Sequence, residues 1–210
     1  MSNDETETKE RGARKPGRPR TMSDEAIYWA AVGVLAEHGS NGLTLARVAE
    51  ALGVTPAAVR QRFGSKRGLL LDMARRRTSG VEAGFAEAGE RHESRLQALE
   101  AALLARISGL EEPVRLANAI SAYVDNAADP DLRALFDGEL TEMERCVHSM
   151  LVEAARAGEI DRPPTPELAS AVFSTFEGVL TVWAIAPRGS VRDRVHEALV
   201  VVVGREFGPA

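Results

Sequence analysis

Apolar residues along this chain recur with a helical period from Ser23 onward, and no sustained alternation of apolar and polar residues bounded by turns predicts a strand. Ile27, Ala30, Ala31, Val34 and Leu35 fall three and four residues apart, which places them on one helix face. Ser23 stands at the N-cap of that helix, Asp24 and Glu25 follow in its first turn, and His38-Gly39 ends it. Thr44 predicts the cap of a short second helix carrying Leu45, Val48, Ala49 and Leu52, stopped by Gly53. A third runs from Thr55 to about Phe63, and Gly64-Ser65 introduces a fourth at Lys66.

The same period continues to the end of the chain. Leu96, Leu99, Leu103 and Ile107 form one stripe, a break falls near Gly109–Pro113, and Val114, Ala117, Ile120 and Val124 form the next. Pro130 suits the first position of a short helix through Phe136, after which Gly138 is expected to interrupt before a longer helix reaches Gly158. Thr165 and Pro166 open a helix to about Ala186, and Val191 to about Phe207 make the last. The expectation is an all-α protein of about nine helices, with no internal repeat.

Composition changes the picture at the N-terminus. Residues 1–21 hold almost no large apolar side chain but contain Gly12, Pro16, Gly17 and Pro19, so they predict a flexible arm ahead of the first helix. The first residues are too polar for a signal peptide, and the apolar runs Val179–Ala186 and Ala198–Val203 are too short to cross a bilayer. A cytoplasmic protein with no membrane partner is expected. One cysteine, Cys146, allows no internal disulfide, and four scattered histidines offer no metal-ligand spacing, so no cofactor is expected.

The net charge of −5 conceals a division. Of the 26 Lys and Arg, 14 lie in residues 1–80 against 9 of the 31 acids, leaving 12 bases and 22 acids in residues 81–210. A basic head is drawn to phosphates, and an acidic body confines that contact to the head. Incidental surface charge would give the same totals, so the division needs a motif beside it.

Residues 45–59 supply one. Ala49 sits where two helices would cross closely, Gly53 four residues later makes the turn, and Val48, Leu52, Val54 and Val59 form a shared core, the spacing of a helix-turn-helix. A larger residue at Ala49 would separate the helices, and a side chain at Gly53 would oppose positive φ.

The stretch LTLARVAEALGVTPAAVRQRFGSKRGLLLDM, preceded by AAVGVLAEHGSNG, resembles the DNA-binding head of the TetR family of bacterial regulators. Glu37-His38-Gly39, Thr44, Val48-Ala49, Gly53-Val54-Thr55, Phe63, Ser65-Lys66 and Leu69-Leu70 fall where that family's pattern has them, over about Ile27–Met73. Beyond that span the similarity is one of helical architecture. The resemblance implies a three-helix DNA-binding domain over 22–70 and a helical ligand-binding and dimerisation domain over 71–210. It also implies a recognition helix at Thr55–Phe63, with Pro56, Ala57, Arg60 and Gln61 near DNA. The family pairs its last two helices across a homodimer, so two heads would read a near-palindromic double-stranded operator.

Side-chain chemistry refines that picture. Thr44, Thr55 and Lys66 stand at helix starts, where hydroxyl, backbone N–H and ammonium groups suit phosphate oxygens. Arg60 and Gln61 can read guanine or adenine edges, and Ala57 can meet a thymine methyl. Many family members carry aromatic residues where Arg60 and Arg62 stand here; Arg62 and Arg67 fit a solvated helix face as well as they fit DNA. In the arm, Arg14, Lys15, Arg18 and Arg20 surround a Gly17-Arg18-Pro19 centre that resembles an AT-hook, with Pro16 in place of an arginine. They are expected to follow a groove or the backbone, the alternative being a solubilising tail.

In the body, Val172, Phe173, Phe176, Val179, Leu180 and Trp183 on one helix, and Val195, Leu199, Val202 and Val203 on the next, exceed what one core needs and are expected at a dimer interface. Phe85, Phe136, Met143, Met150, Phe176 and Trp183 are candidate walls for a small apolar or amphipathic effector, with plain core packing as the alternative. Asn118, Tyr123, His148, Thr175 and Glu177 are polar groups on otherwise apolar helices, which must be paired or orient a bound molecule. The expected function is a transcriptional repressor released by its effector. A regulator of the same fold without an effector is the alternative, and an all-helical enzyme is disfavoured because no paired catalytic residues or phosphate loop occur.

Overall fold

The computed structural model describes residues 23–204, which form ten α-helices and, among the described residues, no strand. They are α1 (Asp24–Gly42), α2 (Leu45–Leu52), α3 (Pro56–Phe63), α4 (Lys66–Ser79), α5 (Val81–Arg91), α6 (Arg95–Ala105), α7 (Pro113–Asn126), α8 (Pro130–Arg156), α9 (Pro166–Ile185) and α10 (Val191–Val203). The arm residues Arg14, Lys15, Arg18 and Arg20 lie outside the described residues, as does Phe207.

Local chemistry sets most helix starts. The hydroxyls of Ser23, Thr44, Thr55, Ser65 and Thr165 each accept a hydrogen bond from a backbone N–H in the first turn of the helix they precede. Gly53 takes φ 65° at the end of α2, where its N–H bonds Glu50 and the Val54 N–H reaches the Ala49 carbonyl at 2.9 Å. Ala49 is fully buried beneath this turn. Gly68 is needed for closeness instead: a Cβ there would lie 2.0 Å from the Phe63 carbonyl oxygen, so the sharp α3–α4 junction admits no side chain.

Three expectations about elements are corrected. Gly138 does not interrupt: α8 runs unbroken for 27 residues, because glycine adopts helical φ/ψ and one such residue costs only about 1 kcal/mol, within reach of the packing on either side. The last helix ends at Val203 rather than near Phe207, closed by left-handed Gly204. And α9 is long and apolar enough, by length and composition, to cross a membrane, with a mean hydropathy of 1.5 over eighteen residues. Seven of its side chains, from Leu168 to Trp183, are buried against α7, α8 and α10, which accounts for that composition within a protein core.

Two buried clusters organise the packing. One gathers Ile27, Leu43, Val48, Val59 and Leu69 from α1–α4, with Leu132 of α8 inserted into it. The other joins α5–α10 around Leu99, Leu103, Val147, Leu151, Val172 and Leu199. They are held together where α1 meets α7 and α4 meets α8. At the first contact Asn118 donates to the Ala36 carbonyl (2.8 Å) and Asn126 to the Ser40 hydroxyl (3.0 Å), satisfying polar groups near the end of α1. At the second, Arg67 bonds Asp129 and Asp131.

Candidate nucleic-acid interface and effector cavity

The helix-turn-helix presents α3 outward. Val59 is its one fully buried side chain, whereas Thr55, Pro56, Ala57, Arg60 and Gln61 are all exposed. Arg60 and Gln61 have no side-chain hydrogen bond or ion pair among the described residues, so their donors and acceptors are open to a partner. Thr44 is exposed as well, but its hydroxyl and that of Thr55 are engaged as caps, by Arg47 N (3.2 Å) and Ala58 N (3.3 Å).

Two cations grouped with these are committed elsewhere. A single terminal nitrogen of Arg62 lies 2.6 Å from both carboxylate oxygens of Asp24 at the start of α1, and Arg76 shares that carboxylate at 3.3 Å. The Lys66 ammonium donates to the Ser40 carbonyl, so it closes the end of α1 instead of facing outward. Lys66, expected at a phosphate, and Arg62, which fits DNA and a solvated helix face equally, thus both have partners within the head. Both partners lie more than twenty-five residues away in sequence, beyond the reach of a local pattern. Arg47, which carried no expectation, is exposed on α2 with one terminal nitrogen on the Gly42 carbonyl at 2.7 Å.

In the body a cavity of about 300 Å³ lies between α4, α6, α7, α8 and α9. Tyr123, Met143, Phe176 and Glu177 line it, as expected of effector-binding residues, together with Ile107, Leu116, Ile120 and Phe173. Its mouth carries Val124 and Leu140, apolar side chains exposed to solvent. Seven other candidates, Thr175 of α9 among them, do not line it. Asn118 ties α7 to α1, His148 Nε2 lies 2.7 Å from the Pro164 carbonyl oxygen, and Trp183 Nε1 donates to the Gly189 carbonyl at 3.1 Å. Phe85 and Met150 pack in the core of the body, and Phe136 packs on the Tyr123 ring at 4.7 Å, facing the head.

The cavity also holds three charged residues that periodicity passed over. Glu139 of α8 is buried to 2% exposure, and its Oε1 accepts from Arg77 Nε (2.8 Å) and from Arg106, while the Tyr123 hydroxyl donates to Oε2 at 3.1 Å. The Arg77 guanidinium sits 5.6 Å from the Tyr123 ring centre. Burial works against the Arg77 charge, but the neighbouring Tyr123 and Glu139 outweigh it and hold its pKa above the ordinary guanidinium value. Burial likewise pushes the Tyr123 hydroxyl up. Glu177 faces the same space with its carboxyl above the usual carboxylate range: burial raises it, Arg77 pulls it down, Glu139 pushes it up and Arg106 pulls it down. A signal did exist for Arg106, a single charge within the apolar run from Ala101 to Ile107, whereas Glu139 stands among Asp137, Glu142 and Glu144, which hide it.

The expected dimer face is corrected in its membership. Val172, Phe173, Phe176, Leu180, Trp183, Val195, Leu199 and Val203 are already buried in the chain's own core, while Val179 and Val202 are half-buried. The outward face of α9 and α10 is a different set: Ala171, Ser174, Gly178, Val182 and Ile185, beside Val201. Val182, Ile185 and Val201 are 65%, 79% and 81% exposed, unusual for branched aliphatic residues on adjoining helices.

Residues 27–73 match the model of the family described as bacterial regulatory proteins, tetR family. The HTH-type transcriptional regulator YezE of Bacillus subtilis (strain 168) is 24% identical over 187 residues, spanning 86% of this chain and 94% of that protein. A TetR-family transcriptional regulator from Rhodococcus sp. has a similar structure, with a TM-score of 0.64 and 25% identity over 85% of this chain and 97% of the other. The regulator FadR of Bacillus subtilis, solved in complex with stearoyl-CoA, shares the fold with a TM-score of 0.66 at 19% identity, covering 86% of this chain and 98% of that one.

Proposed function

We propose, from the premise that this chain is a bacterial regulatory protein of the tetR family, that it represses transcription as a homodimer on a near-palindromic operator and is released by a small effector. The observation that carries the DNA-reading part is the exposed α3, on which Arg60 and Gln61 have no partner among the described residues, whereas Arg62 and, on α4, Lys66 are bonded. Unpaired guanidinium and amide groups on an outward recognition helix are the chemistry that reads base edges. Positioning on phosphates then falls to the first-turn backbone N–H groups of α2 and α3, to Arg47 and to the arm cations Arg14, Lys15, Arg18 and Arg20.

The exposed Val182, Ile185 and Val201 support a dimer through α9 and α10, since small and apolar residues on two adjoining helices permit close packing against a second copy. The cavity supports an effector. Fold alone relates this chain to FadR, but that protein's complex with stearoyl-CoA illustrates that such a fold can hold an apolar effector. Arg77 lies in the last turn of α4, whose other end carries Lys66 and adjoins α3, so α4 joins the cavity wall to the DNA-reading helix.

The test is selection of an operator from random duplexes, followed by fluorescence anisotropy over a range of salt concentrations. Arg60→Ala should cost about 1–3 kcal/mol at one base-pair position and relax selectivity there. If Arg60→Ala weakened binding to all sequences equally, base reading by Arg60 would be wrong. If no duplex were selected, the reading as a sequence-specific regulator would fail.

A further inference from the structure

The geometry points to a compact carboxylic acid as the effector, its carboxylate held by Arg77 and Arg106 and its hydrocarbon part by the apolar walls of the body cavity. The inference rests on the effector reading above and adds the ligand's chemical class.

Charge is the first argument. Two guanidinium groups converge on a single oxygen of Glu139, and the other Glu139 oxygen is taken by Tyr123. Glu177, the remaining acid on the wall, has no hydrogen bond to either arginine, and burial favours its neutral form. The site therefore sets two guanidinium groups against one hydrogen-bonded carboxylate in a poorly solvated space, where further acceptors for their N–H groups are favoured. A ligand carboxylate supplies such acceptors, whereas an amine would bring a third donor cation to the same place.

Donor geometry is the second argument. Arg77 gives only its Nε to Glu139, and its two terminal amino groups have no protein acceptor among the described residues. A planar guanidinium with a free edge is matched to the two oxygens of a carboxylate.

Size and walls decide the rest of the molecule. About 300 Å³ lies at the lower end of small-molecule pockets, roughly 300–1,000 Å³. Ile107, Ile120, Met143 and Phe173 offer only apolar contact, and Val124 and Leu140 leave an apolar mouth between α7 and α8. A ring acid or a chain of up to about ten carbons fits this description better than a long acyl chain. Because Arg77 belongs to α4, the incoming carboxylate and Glu139 would share one cation at the cavity-facing end of the helix that leads to the DNA-reading head.

Isothermal titration of the full chain with decanoate, decanol and decylamine tests this, since the three probes share a tail and differ in the head group. Decanoate should bind at least tenfold more tightly than either of the others. Arg106→Gln should reduce that affinity tenfold or more, while Glu177→Gln, which removes the wall acid that would repel a carboxylate, should raise it, with both variants retaining the helical circular dichroism of the parent. If Arg106→Gln does not fold, Arg106→Lys keeps a cation beside Glu139 and should show a smaller loss for the same reason. Equal binding of decanoate and decanol, or equal losses in Arg106→Gln and Glu177→Gln, would overturn the carboxylate anchor while leaving the effector cavity in place. Absence of binding by all three probes would overturn the carboxylic acid and count against the effector reading itself.

Discussion

The head and the body use the same functional group under opposite conditions. Arg60 stands on an exposed helix with no partner among the described residues, whereas Arg77 and Arg106 are packed around a carboxylate that is 2% exposed. Water stabilises the first arrangement without any help from the fold, so Arg60 remains available at no cost in stability. The second is tolerable only because Glu139 and Tyr123 satisfy it, and anything that binds there must enter an existing set of charges. A recognition surface on this protein can thus vary freely in its arginines, but its cavity cannot.

The sharpest way to break this contrast is Glu139→Ala. Two partly buried guanidinium groups lose their shared acceptor, and the loss should be about 3–5 kcal/mol, read from urea denaturation. A cost under 1 kcal/mol would mean that the group is already hydrated. Arg62→Ala should cost much less, about 0.2–1 kcal/mol, because its pair with Asp24 is half exposed and Arg76 remains beside that carboxylate.

Glu177→Gln should act in the other direction. The folded carboxyl titrates above its unfolded value, so wild-type stability is greatest below the ordinary carboxyl range and declines as pH rises through the folded pKa. The variant should therefore melt slightly higher at neutral pH, and the advantage should vanish below about pH 4, near the unfolded value. An advantage that persists in acid would place its origin outside titration. The smallest effect on stability belongs to Arg60→Ala, within about 0.5 kcal/mol by thermal melting, even though it should alter DNA recognition.

A substantial part of the candidate interface was legible because its signals are local. A hydroxyl three residues from the N–H it caps, a glycine at a left-handed turn and a valine facing its own helix pair all act within one or two turns of chain. The partners of Arg62 and Lys66 were not legible because they lie across the head on α1. The cavity was legible only in outline. Four of its lining residues stood out by type, but Glu139 gains its meaning from arginines 33 and 62 residues away.

By itself the sequence determined the all-helical class, the caps and turn of residues 44–66, and the basic head on an acidic body, since each follows from residue type at short spacing. Only tertiary structure decided which cations are free and that Gly138 lies inside one long helix. It also decided that Val182, Ile185 and Val201, rather than the more numerous apolar neighbours, remain uncovered. The physical reason is common to all three. Burial and pairing are properties of two surfaces brought together, and one helix read alone carries only half of each.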